Sequence, residues 1–123
     1  MKALIGFHDD MIARMVAMKF ARYSVEVTLA STPAAMLDHA RHTQYDFYAM
    51  DVNLGTRNGL TIEPAQQCYA LVEPLVKSGR AKFVASTGND ALCQIANKNG
   101  IFTVEKMDLS GYIDSYFTNH AKK

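Results

Sequence analysis

The stretch Asp46-Phe47-Tyr48-Ala49-Met50-Asp51-Val52-Asn53-Leu54-Gly55 decides the fold. Four apolar residues run without interruption between two acids, and a loop with two glycines, Asn53 to Gly59, follows. A strand with one wet face alternates apolar and polar residues. An unbroken run bounded by turn formers is the pattern of a strand covered on both faces. The segment therefore reads as a buried strand that ends at Asp51.

Working toward the N-terminus, Ala3-Leu4-Ile5-Gly6-Phe7 is a second short apolar run, which stops at Asp9-Asp10. Ile12, Met15, Val16, Phe20 and Tyr23 then recur at helical spacing. Val25 to Leu29 alternates and is β-branched, so it reads as a strand. Thr32 followed by Pro33 predicts a helix start, with a hydroxyl cap and a proline at the first position, and that helix runs to about His42. Toward the C-terminus, a helix is predicted from about Thr61 to Lys77, ended by Gly79. Pro64 fits its first turn, whereas Pro74 is expected to kink or split it. Lys82 to Ser86 is a strand, and Asn89-Asp90 caps a short helix that ends at Gly100. Ile101 to Val104 is the last strand, running to Lys106, and Asp108 is expected to cap a final helix through Tyr112, Ile113, Tyr116 and Phe117. Five strands alternating with five helices predict an α/β, doubly wound parallel sheet covered on both faces. The whole chain, 1–123, is expected to form one domain.

Composition narrows the function classes. The 123 residues are 49% hydrophobic and 20% charged, with a formal net charge of +1. Such a chain can bury a core, is not disordered by composition, and carries neither the basic footprint of a nucleic-acid binder nor that of a membrane-surface protein. No apolar run approaches a membrane span, and the short apolar start lacks the form of a signal peptide, so a cytoplasmic location is expected. Cys68 and Cys93 form neither a C-x-x-C pair nor a zinc spacing and read as reduced thiols.

The polar residues fall at the strand ends. Asp9 and Asp10 follow strand one, Asp51 ends strand three, Ser86 and Thr87 end strand four, and Lys106 ends strand five. In a parallel sheet all these ends lie on one edge, where such folds bind ligands. Three carboxylates together repel and call for a cation, and carboxylate oxygens with water suit Mg²⁺. A carboxylate so placed can attack phosphorus to give an acyl phosphate, while the metal and a lysine neutralise charge on the phosphoryl oxygens.

The segments Phe7-His8-Asp9-Asp10, Asp51-Val52-Asn53-Leu54-Gly55 through Gly59, Ser86-Thr87-Gly88 and Val104-Glu105-Lys106 together resemble the CheY-like receiver domain of two-component response regulators, in order and over essentially the whole chain. The resemblance implies a flavodoxin-like (βα)5 sheet of order 2-1-3-4-5. It implies Asp51 as phosphoacceptor, Thr87 as switch hydroxyl and Lys106 as the phosphate-contacting lysine, with Ser86 the alternative hydroxyl if the register slips by one. It also implies a Mg²⁺ site from Asp9, Asp10, Asp51 and the backbone carbonyl of Asn53, Asp10 being the more direct of the acidic pair. The implied role is a phosphorelay receiver, not an enzyme beyond its own phosphorylation and dephosphorylation. A histidine kinase or phosphotransfer protein would donate the phosphoryl group, and a downstream protein would read the result by contact.

Three departures stand out. Met107 replaces the proline that usually follows the lysine, Thr103 stands where the family often has a switch aromatic, and the segment from Gly59 to Gly79 is long. Phe102 is adjacent to Thr103 but is expected to face the other way. These features keep open a degenerate receiver that binds a protein without phosphate. A phosphohydrolase with an aspartate nucleophile is the third reading, weakened because Asp51-Val52-Asn53 lacks a second acid. His8, beside the acidic pair, reads as a strand-end packing residue, with a pH-sensitive modulator of the site as the alternative; His39 and His42 read as a structural or chance pairing on a helix, and the seven methionines as core filling, with a partner surface as the alternative.

Overall fold

The computed structural model describes residues 1–55 and 61–121, and Gly59 lies outside them. The elements alternate along the chain. They are β1 (Lys2–Gly6), α1 (Asp10–Ala21), β2 (Glu26–Ala30), α2 (Pro33–His42), β3 (Phe47–Asp51), α3 (Glu63–Lys77), β4 (Lys82–Thr87), α4 (Asp90–Lys98), β5 (Thr103–Glu105) and α5 (Leu109–Ala121). The strands form one parallel sheet of order β2-β1-β3-β4-β5. Order and parallel direction agree with the expectation.

The sheet divides the core into two halves, and strand alternation sorts residues between them. Tyr48 and Met50 of β3, with Phe83 and Ala85 of β4, join Met36 of α2, Cys68 of α3 and Leu92 of α4 in one half. Phe47 and Ala49, with Val84, join Val16 and Phe20 of α1 and Ile113 and Phe117 of α5 in the other. Every residue of β3 is buried, which is why its sequence shows no polar alternation. Thr32 accepts from the Ala35 amide at 3.1 Å and Asn89 from that of Leu92 at 3.1 Å, so the caps of α2 and α4 follow the sequence.

Three expectations are corrected. Pro74 does not split α3, which is continuous from Glu63 to Lys77. Pro74 lies on the exposed side, and the hydrogen bond it forfeits is to the carbonyl of Ala70, also exposed, where water can serve. Buried Val72 and half-buried Leu75 and Val76 hold the flanking turns on the core. Asp108 does not cap α5 as a free end residue, because a 3-10 turn over Lys106–Asp108 runs straight into the helix. The methionines are mostly not core: Met36 and Met50 are buried, but Met1, Met11, Met15, Met18 and Met107 are exposed. Among the described residues no helix is long and apolar enough to cross a membrane.

Candidate functional site

Asp51 is the last residue of β3 and continues the row Phe47, Ala49 that faces α1 and α5. That row is covered, so the carboxylate is carried inside and is 0% exposed. A buried carboxylate is costly unless its oxygens are compensated. The backbone N–H of His8 donates to Oδ2 at 2.7 Å. Lys106 Nζ lies 2.9 Å from Oδ1. The ammonium approaches off the line of a hydrogen bond, so Oδ1 has a charge partner but no hydrogen bond. Strands β1, β3 and β5 thus each bring one of these three groups to the same sheet edge.

His8 does more than pack. Its Nε2 is 3.1 Å from the carbonyl oxygen of Asn53 and 4.0 Å from Asp51 Oδ2. A carbonyl only accepts, so the ring donates, and Nε2 carries the hydrogen. Sequence reasoning missed this because His8 and Asn53 become neighbours only when β1 pairs with β3. The available signal was that both follow the carboxyl end of their strands.

The acidic pair divides. Asp9 is the N-cap of α1, and its Oδ1 accepts from the amides of Met11 at 2.8 Å and Ile12 at 3.4 Å. Asp10 is the first helical residue and is exposed. The expected crowding of three carboxylates is therefore corrected: among the described residues no three histidine, cysteine or acidic side chains gather closely enough to hold a metal ion. The reason is that α1 has unpaired amides at its start, and Asp9 satisfies them. Oxygen donors suited to Mg²⁺ nonetheless stand at this edge. With Lys106 beside Oδ1, Asp51 Oδ2 is the oxygen left to a cation, the Asn53 carbonyl lies beside the same His8 ring, and the Asp10 carboxylate is exposed. The residue types fit the group.

Thr87 ends β4 and is buried, and its Oγ1 accepts from the Asn89 amide at 3.1 Å, a local turn ahead of α4. Ser86, the alternative hydroxyl, is in register with Asp51 on the neighbouring strand and has a buried Oγ without a hydrogen-bond partner. Thr103 pairs with Ala85 and faces α4, where its hydroxyl donates to Asn97 Oδ1 at 2.8 Å and lies 3.0 Å from Cys93 Sγ. Phe102 faces the other way, 5.4 Å from the Tyr112 ring. The peptide bond before Met107 is trans.

Similar folds were found among solved structures. The receiver domain of the Francisella response regulator 1452 is 16% identical, with 97% of this chain and 98% of that one covered and a TM-score of 0.63. A CheY-like response regulator receiver domain protein from Methanospirillum hungatei is 17% identical, covers 98% and 96%, and gives 0.71. This chain has the receiver-domain fold. A de novo designed Rossmann 2x3 protein also matches, at 13% identity, with 96% and 90% covered and a TM-score of 0.68, so the receiver likeness speaks for architecture and not for chemistry. No protein-family model and no curated protein matches the sequence.

Proposed function

We propose that this receiver fold is a working phosphoacceptor of a two-component phosphorelay, loaded on Asp51 by a histidine kinase or a phosphotransfer protein in the cytoplasm. The observation that carries the reading is the Lys106 ammonium 2.9 Å from a fully buried strand-end carboxylate. A lysine held there is placed to meet phosphoryl charge as soon as Asp51 becomes an acyl phosphate. In the transfer, an Asp51 oxygen forms a bond to phosphorus, the phosphorus–nitrogen bond of the donor phosphohistidine breaks, and the imidazole leaves with its electron pair. Asp10, Asp51 and the Asn53 carbonyl would hold Mg²⁺, with Asp9 as its helix-capping neighbour; when bound, the ion supplies positive charge to the phosphoryl oxygens. Lys106 then bonds one phosphoryl oxygen, and the Thr87 hydroxyl, released from the Asn89 amide, donates to another. Output passes to a downstream protein by contact.

A second reading, a degenerate receiver that binds protein without phosphate, is favoured by one observation: Asp51 is wholly buried with both oxygens engaged. Intact-protein mass after incubation with acetyl phosphate and Mg²⁺ separates the two. One added phosphoryl mass is expected in the wild type and none in Asp51→Asn. Equal labelling of both proteins removes Asp51 as acceptor, and no labelling of either leaves the binding module.

A further inference from the structure

The phosphoacceptor edge contains one side chain that neither the chemistry above nor its metal requires. His8 is 22% exposed at its side chain, whereas Asp51 beneath it is 0% exposed. Its ring stands in the wedge between Asp51 Oδ2, at 4.0 Å from Nε2, and the Asn53 carbonyl oxygen, at 3.1 Å. These two oxygens are donors that Mg²⁺ would use. An ion bound to both lies about 2.1 Å from each and keeps several waters around it. An imidazole nitrogen 3.1 Å from one of these oxygens and 4.0 Å from the other competes with the ion and its waters for that space. The donated Nε2–H also places partial positive charge at the carbonyl, as a cation would, and thereby stabilises the carbonyl and carboxylate without metal.

We propose that His8 is a gate on the cation site, an internal stand-in that must swing outward before Mg²⁺ reaches Asp51 and Asn53. This rests on the reading of that edge as a metal-assisted site. The ring is partly exposed and its Nε2 is held by the Asn53 carbonyl, so outward rotation breaks that hydrogen bond. The backbone N–H of His8, which holds Asp51 Oδ2, stays in place through that movement. Apparent affinity falls by the fraction of molecules with the gate open. A ring out in about one molecule in ten makes Mg²⁺ binding about tenfold weaker than the open site allows.

Calorimetric Mg²⁺ titration of the full chain tests this, at one fixed pH, in the wild type, His8→Ala, His8→Asn and Asp51→Asn. Circular dichroism checks that each is folded. The two His8 variants are expected to bind Mg²⁺ about tenfold tighter than the wild type, and Asp51→Asn to lose binding. In the wild type, the His8 ring signals in a histidine-side-chain NMR spectrum are expected to shift along the Mg²⁺ titration, as the Nε2–H leaves the Asn53 carbonyl. Equal Mg²⁺ affinity in wild type and His8 variants overturns the gate, as does absence of binding in all of them. Weaker binding in the variants also overturns it, because the ring would then be a ligand. The phosphoryl mass of the wild type is read separately. Labelling with no change in affinity refutes the gate and keeps the phosphoacceptor, and tighter binding without labelling does the reverse.

Discussion

Gly55 and Gly79 both adopt left-handed backbone, with φ of +85° and +79°, yet they answer to different constraints. A Cβ on Gly79 would meet nothing within 4 Å, so Gly79→Ala carries only the left-handed penalty, about 1–2 kcal/mol. A Cβ on Gly55 would fall 2.7 Å from Cδ and 2.8 Å from Cγ of Pro33, the proline that starts α2. A proline ring cannot rotate away, so steric cost adds to the backbone penalty, and Gly55→Ala is expected to lose about 2–4 kcal/mol. Urea unfolding of the two variants checks the order. Equal midpoints would mean that the Asn53–Gly55 turn yields to Pro33 rather than being fixed by it. The requirement for glycine at 55 was legible as a turn signal, but the partner that enforces it was not.

Between elements, α1 and α5 are joined on the sheet's outer face by a polar contact over a shared aromatic floor. Asp114 of α5 accepts from Lys19 Nζ at 2.8 Å and from the Tyr23 hydroxyl at 2.5 Å. The Tyr23 ring stacks on Phe117, with centroids 4.9 Å apart. The hydrogen bond from Lys19, then that from Tyr23, hold the Asp114 carboxyl below its ordinary range, while Asp114 raises Tyr23. A carboxyl whose pKa is depressed on folding adds stability above its unfolded pKa, about 3.9, and that contribution is lost as pH falls through the lower folded value. Wild type is therefore expected to melt higher than Asp114→Asn at pH 7, with the gap closing below about pH 4. Thermal melts at pH 7 and pH 3 check it, and a gap as wide at pH 3 as at pH 7 would trace the effect to packing instead. The helical pattern of α1 was readable from Val16 and Phe20. The link through Asp114 was not, because Lys19 and Asp114 share no local pattern.

At the scale of the molecule, the question is how a change at Asp51 reaches the far side of β4 and β5. Asp51 and Ser86 lie on the α1/α5 side of the sheet, whereas Thr103 faces α4. Thr103 is small and its hydroxyl is already tied to α4 through Asn97 and Cys93, so moving it inward buries little apolar area and breaks existing bonds. Thr87 by contrast is held by one bond to the Asn89 amide. Phosphorylation shifts an equilibrium only by its differential stabilisation of the two states. Addition of beryllofluoride is therefore expected to move NMR signals near Thr87 and Gly88 more than those around Thr103. Large changes centred on Thr103 and α5, with little at Thr87, would show that the Asn97 tether does not hold.

The sequence by itself determined the alternating α/β order and the buried character of β3, because both are written in local periodicity. It also put Asp51, Thr87 and Lys106 on one edge, since parallel strands carry their ends to the same side. The strand order agreed with what the resemblance implied. Tertiary structure decided what locality cannot encode. Pro74 stays inside a continuous α3 because its neighbours are held on the core and the lost bond faces water. Asp9 turns from the cleft onto the amides of α1. His8 comes to rest between Asp51 and Asn53 because pairing of β1 with β3 brings together residues more than forty positions apart.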